Sequence, residues 1–330
     1  MNEKDARLAA LCRARRWDGV LLRRRANIAW VTDGADVHCD TASERGVATV
    51  VWTPRAKTVY TDVIEAARLR DEEFDGWRID ACPWWTSPAL PKGRFGTDDD
   101  VAELRFSLTR DEVKRIRALG RESAEALALS LTRVRRGQTE HEVAADIARE
   151  LRARGIFPQV LLVAADERVD TYRHPIPTSK VVRKKLMGVV CAQRRGLIVA
   201  LTRIVHFGVI PRDLRRKHDA VCAVDAALHA ATRPGRRWCD LLDVAIRAYR
   251  ETGFADEWKL HHQGGPMGYE PRDFKATPTE TRTVVANQVV GWNPSITGTK
   301  SEDTILSDGA VVTADREWPV CGTRPDILRR

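Results

Sequence analysis

The chain has 330 residues, of which 43% are hydrophobic and 31% charged, a balance that builds a substantial core and excludes a disordered chain. Its formal net charge of +9 comes in short basic groups (residues 23–25, 135–136, 183–185 and 215–217) interleaved with acids, which reads as solvated surface and not as a nucleic-acid-binding stripe. No apolar run of about eighteen residues predicts a membrane span, the opening residues lack the apolar stretch of a signal peptide, and seven cysteines without a C-x-x-C pair fit neither a disulfide framework nor a zinc ribbon, so a cytoplasmic protein is expected.

In the first hundred residues, apolar runs at 19–22, 47–52 and 57–60 alternate with helical patterns at 5–16 and 62–70. That alternation predicts an α/β domain. Residues 83–100, with their prolines, glycines and Asp98-Asp99-Asp100, predict a linker, which places the domains at 1–103 and 104–330. Trp84-Trp85 within it reads as a lid, a dimer contact or core packing.

Beyond the linker, residues 104–136 carry Ile116, Leu119, Leu127, Leu131 and Val134 at helical spacing, with Gly137 as the stop. Thr139 followed by Glu142 fits a capping box, opening a helix with Val143, Ile147 and Leu151 on one face. Two more helices are predicted at 212–232 and 240–252, separated by Arg233-Pro234-Gly235. Strand-like runs at 186–191, 197–207, 288–292, 304–306 and 310–313 lie between and after these pairs. The order points to a duplicated half wrapped around a curved antiparallel sheet.

Chemistry-bearing side chains gather in three late segments, His261-His262-Gln263-Gly264-Gly265, Trp292-Asn293-Pro294-Ser295-Ile296 and Lys300-Ser301-Glu302-Asp303-Thr304. An earlier segment, Arg173-His174-Pro175-Ile176-Pro177, sets an imidazole in an extended X-Pro context. Imidazole titrates near neutrality, so His174 can take a proton from water and return it to a leaving nitrogen, or be an ordinary surface histidine. The Gly264-Gly265 stretch lacks the Lys-Ser/Thr ending of a phosphate loop. Cys191 has apolar neighbours, which predicts a packed, inert thiol.

These segments, in this order, resemble the M24 superfamily of the pita-bread fold, which includes methionine aminopeptidase, aminopeptidase P, prolidase and creatinase. The resemblance covers residues 110–315, and the first hundred residues look like a creatinase-type N-terminal domain. It implies an α/β (α+β) protein in which that domain precedes a pita-bread domain with a curved antiparallel sheet and two helix pairs. It also implies a homodimer. Metal-dependent members hold two ions with two Asp from a β-ribbon, one His and two Glu. Here the first Asp position falls near Cys191 or Ala192 and the second on Ala200, while His262 matches the His, Asn293 replaces one Glu, and Glu302 matches the other. Two ligands of five are too few for a tight two-metal centre.

Creatinase hydrolyses a C–N bond without metal, and His174-Pro175 stands where its acid/base histidine lies. Thr202, in Ala200-Leu201-Thr202-Arg203, takes the place of a substrate-binding carboxylate, which argues against creatine. The leading expectation is therefore a metal-independent hydrolase or lyase, without cofactor, acting on a C–N bond of a small amino-acid-like or guanidino substrate. His174, His262 and Glu302 are its expected catalytic residues, and Asn293, Thr202, Arg203, His206 and His261 its substrate contacts, although His261 also reads as structural. One alternative is a peptidase acting on short peptides with a single Mn, Fe, Co or Zn ion on His206, His262 and Glu302. Another is a non-catalytic, protein-binding relative of the kind found in histone chaperones.

Overall fold

The computed structural model describes residues 2–330 and divides into two units, Met1–Thr109 and Arg110–Arg330. The division falls a few residues after the predicted boundary, because much of the expected linker is built into the first unit. Only residues 83–94 form an irregular loop; β5 (Phe95–Gly96) and α4 (Asp98–Val101) follow it. The Asp98 carboxylate accepts from the backbone N–H of Arg23 and Arg24 and from Asn27 Nδ2. These charge-assisted bonds tie the acidic run to the sheet and to the helix beside it.

The first unit contains α1 (Glu3–Arg15), β1 (Gly19–Arg24), α2 (Arg25–Val31), β2 (Arg45–Trp52), β3 (Lys57–Asp62), α3 (Ala66–Arg68) and β4 (Arg78–Cys82). Its strands pair in the order β4-β3-β2-β1-β5, antiparallel in the centre and parallel at both edges. Helix α2 was hidden in the sequence because its seven residues are nearly all apolar and buried, so no amphipathic period distinguishes it from a strand.

The second unit opens with α5 (Arg110–Thr132) and α6 (Glu140–Arg152). Ile116, Leu119, Leu127 and Leu131 of α5 are at most 1% exposed, as their spacing predicts. Gly120 brings α5 onto the backbone of Val312, whose carbonyl oxygen would lie 2.2 Å from any added Cβ. At α6, Thr139 Oγ1 accepts from Glu142 N at 3.2 Å, and the Glu142 carboxylate accepts from Thr139 N at 2.6 Å, a closed capping box.

Strands β6 (Phe157–Ala165), β7 (Lys185–Arg194) and β8 (Leu197–His206) follow, with α7 (Glu167–Thr171) between the first two. A second helix pair, α8 (Arg212–Ala231) and α9 (Trp238–Glu251), packs Val224, Leu228, Trp238 and Tyr249 against Trp292 and Ile305. Short strands complete the chain: β9 (Gly264–Met267), β10 (Val289–Trp292), β11 (Ser295–Ile296), β12 (Thr299–Lys300), β13 (Asp303–Leu306), β14 (Val320–Cys321), β15 (Arg324–Pro325) and β16 (Ile327–Arg329). They form sheets β16-β8-β7-β6 and β13-β10-β9 with two small ladders. The two larger sheets are joined where Thr202 N donates to Glu302 O and Ala200 N donates to Thr304 Oγ1. The expected strand at 310–313 is instead an isolated bridge, Val311 to Ile305. The mixed α/β class and the helix-pair arrangement match the fold expected from the sequence.

His218 of α8 is 1% exposed; its Nδ1 meets Thr299 Oγ1 at 2.7 Å and its Nε2 donates to Pro325 O at 3.1 Å. Burial pushes its pKa down to about 4, against the pull of Asp326 and Asp219 and with Arg215 opposing the charged form. Because the folded value lies below the unfolded value of 6.5, the unfolded chain takes the proton first as pH falls. Unfolding free energy is expected to decline from pH 6.5 towards pH 4, and the decline to be shallower in His218→Gln, as measured by urea titrations across that range. An identical slope in the two proteins would refute this.

Candidate active site

Strands β7 and β8 form the ribbon that faces the late segments, with Cys191 opposite Ala200 and Val189 opposite Thr202. Cross-strand partners share a face, so the pair Cys191/Ala200 presents a thiol and a methyl where the resemblance implies two carboxylates. The thiol is held at about 11, first by burial and then by the nearby Glu302 charge, which leaves it protonated and a poor ligand.

Glu302 is 2% exposed and held by protein groups. Thr202 Oγ1 donates to its Oε2 at 2.5 Å, Lys300 Nζ lies 2.8 Å from the same oxygen, and Arg272 NH2 lies 3.6 Å from Oε1. Burial pushes this carboxyl up, yet Lys300 and Arg272 bring it below the ordinary glutamate value. It is an anion beside two protein cations, with its Oε2 engaged by Thr202 and Lys300. With Asn293 in place of a second carboxylate, the residues present do not fit a dinuclear centre.

Several expectations for single residues are corrected here. The Thr202 hydroxyl is not free: it donates to Glu302. Arg203 is 2% exposed and bonds Asp303 Oδ1, Thr313 O and Thr202 O. It belongs to a buried ion network in which Arg324 pairs with Asp303 and Asp225, and Asp225 accepts from Ser301 Oγ. His206, at the end of β8, lines a different cavity of about 550 Å³ with Arg136, Arg183, Lys184 and Phe207. His206 does not join the clustered histidines among the described residues.

The imidazoles that do meet are His174, His261 and His262. His174 stands exposed on the loop after α7, and the other two lie in the extended segment between the 3₁₀ turn Glu257–Leu260 and β9. His174 Nε2 and His261 Nε2 are 3.2 Å apart. The rings of His261 and His262 stack with centroids 4.5 Å apart. Among the described residues these three form the one group of at least three potential ligand side chains whose donor atoms all lie within 4.8 Å of one another; Glu302 does not join them. Gly264 and Gly265 explain how the segment turns into β9: an added Cβ would sit 2.1 Å from Gly291 O or 2.2 Å from Phe274 O, and Gly264 has φ +125°.

Each imidazole is biased towards its neutral form, chiefly by burial. His261 falls to about 2, with Lys300 as the next cause, and His262 to about 3, with Arg272 next. His174 is lowered less, by partial burial and Lys300 against the pull of Glu302. The Nδ1 atoms of His261 and His262 and Oδ1 of Asn293 are buried without a protein partner. A cavity of about 10 Å³, lined among others by His261, Ser295 and Lys300, is about large enough for one water.

Lys300 and Arg272 were missed in the sequence. Lys300 was detectable, since residues two apart on extended chain share a face and Glu302 needs a counter-charge. Arg272 lies on an irregular segment whose path no local pattern reveals.

The model of metallopeptidase family M24 matches residues 114–314, more than half of the chain, and the protein belongs to that family. An uncharacterized peptidase of Staphylococcus saprophyticus is 22% identical over 63% of this chain and 62% of its own. The Xaa-Pro dipeptidase of Lactobacillus delbrueckii is 19% identical over 65% and 61%. The chain thus spans about three fifths of these curated relatives. Among solved structures, the prolidase of Pyrococcus horikoshii superposes with TM-score 0.79 at 17% identity, covering 96% of this chain and 99% of that one.

Replacing Lys300 by Met should leave Glu302 short of its nearest counter-charge and cost about 3–5 kcal/mol of stability, read from denaturant unfolding. The double variant Lys300→Met/Glu302→Gln should recover part of that loss. A Lys300→Met protein as stable as the parent would show that the pair compensates nothing.

Proposed function

We propose that this protein is a hydrolase of the M24 family that cleaves the C–N bond of a short peptide, with His174, His261 and His262 as the working groups and an altered metal centre. The family match and the peptidase names of its relatives support this reading over the metal-free guanidino hydrolase. The single observation that carries it is the contact of His174 and His261 at 3.2 Å beside His262. Peptide cleavage requires a water to lose a proton as it attacks and the leaving nitrogen to gain one, and the imidazoles of this cluster serve it either by moving those protons or by holding an ion that would acidify the water.

The other residues take supporting roles. Asn293, with a buried carbonyl oxygen lacking a protein partner, accepts from a substrate N–H or, with its amide reversed, donates to the scissile carbonyl. Glu302 and Lys300 act as a fixed, internally neutral pair that sets the shape and potential of the floor. A divalent ion in the altered centre would supply Lewis acidity and a water of lowered pKa.

The test is a panel of Xaa-Pro and other dipeptides, with linear and cyclic guanidino compounds beside them. Dipeptide cleavage is expected, and His174→Ala should reduce kcat/KM by about 10²–10⁴-fold without loss of the fold, since the side chain is exposed. Cleavage confined to guanidino compounds, or unchanged in His174→Ala, would overturn the proposal.

A further inference from the structure

We propose that His174, His261 and His262 bind one borderline-soft divalent ion, zinc foremost, at a centre distinct from the carboxylate positions of the ribbon. The inference deepens the peptidase reading and rests on it. Its first support is spacing. A tetrahedral zinc ion at 2.0–2.1 Å from its ligands keeps neighbouring donor nitrogens about 3.3 Å apart; His174 Nε2 and His261 Nε2 are 3.2 Å apart, and all three rings offer donors within 4.8 Å of each other. His174 sits on an exposed loop, so small rotations of its side chain can close the remaining gap.

The second support is unmet bonding. Nδ1 of His262 is buried and has no protein partner, a condition that costs free energy unless a ligand or water meets it. Two neutral rings whose nitrogens face each other at 3.2 Å share at most one hydrogen between them, and an ion replaces that single bond with two.

The charge around the cluster decides which ion it takes. Lys300 is paired with Glu302, and Arg173 with Glu257 at 2.8 Å, yet Lys300 is still the first charge to disfavour a cation at His174 and His261. Arg272 and the exposed Lys275 still oppose an added cation. Binding must therefore come from nitrogen coordination and not from net negative charge, which selects zinc, nickel or copper and rejects magnesium, calcium and manganese, ions suited to oxygen. The ligand set is that of the three-histidine catalytic zinc sites, which leave a fourth position for water.

The measurement is calorimetric titration of the chelator-stripped full chain with zinc and with manganese, together with the visible spectrum of the cobalt-loaded protein. One zinc per chain is expected, with manganese at least about 100-fold weaker and cobalt bands of a four-coordinate site. His174→Ala and His262→Gln should each weaken zinc by at least about 100-fold, more than the loss of an outer-shell partner causes; His206→Gln should leave zinc unchanged. Thermal melts of the variants establish folding, and His174→Ala, on an exposed loop, decides the case. No stoichiometric zinc, manganese binding as tightly as zinc, or zinc affinity retained in His174→Ala overturns the site. Dipeptide cleavage by the stripped protein with no stoichiometric zinc bound on titration removes the ion site and leaves the peptidase reading. Zinc binding as stated with no peptide cleaved leaves the ion site and removes the peptidase reading.

Discussion

A single buried charge pair, Glu302 with Lys300, decides what this scaffold can do. A carboxylate that is 2% exposed cannot stay ionised alone, because an uncompensated charge in the interior costs several kcal/mol. In a dinuclear hydrolase the compensating charge is exchangeable metal. Here it is covalently attached: an ammonium at 2.8 Å and a guanidinium at 3.6 Å. This arrangement balances the buried charge of Glu302 with protein cations.

The alternation of extended chain explains how one short segment serves two purposes. Lys300 and Glu302 share one side of the segment, whereas Ser301 and Asp303 face the other way, into the network of Asp225, Arg324 and Arg203. Successive residues of a strand point to opposite sides, so that side could change its residues without disturbing the network behind it. That network ties β8, α8, β13 and the C-terminal strands together, with Arg203, Asp225, Asp303 and Arg324 all nearly inaccessible to solvent. Buried Asp225 stays below its ordinary value despite the cost of burial, held down by His229 and Arg324. Removing one member would strand its partners, which is why such a network resists piecemeal change.

The sequence disclosed the parts whose determinants are local. The ribbon followed from two apolar runs around Arg195-Gly196, the capping box from Thr139 and Glu142, and helix α5 from its period. The site was legible as a set of segments but not as a set of contacts. His174 and His261 are 87 residues apart and meet only through the packing of loops, and Arg203 looked like a substrate contact because its partners, Asp303 and Thr313, lie about a hundred residues away. His206 fell to the wrong side for the same reason: alternation gives the face of a ribbon residue but not which cavity lies at the strand's end.

The backbone likeness to a prolidase at 17% identity and the altered ligand set are compatible because different residues carry them. Backbone geometry at the site rests on close approaches that only glycine permits, Gly264 onto Gly291 O and Gly265 onto Phe274 O, together with the pairing of β9 and β10. None of these uses a metal ligand. The carboxylate positions are free to change if the interior charge stays balanced, and Lys300 supplies that balance. A cavity so neutralised repels a second cation at its floor, since two like charges a few ångströms apart in a partly buried site cost several kcal/mol. An ion retained by such a molecule therefore belongs further out, where the ligands are uncharged nitrogens and the nearest ammonium is already engaged, and the histidine cluster beneath the His174 loop meets those conditions.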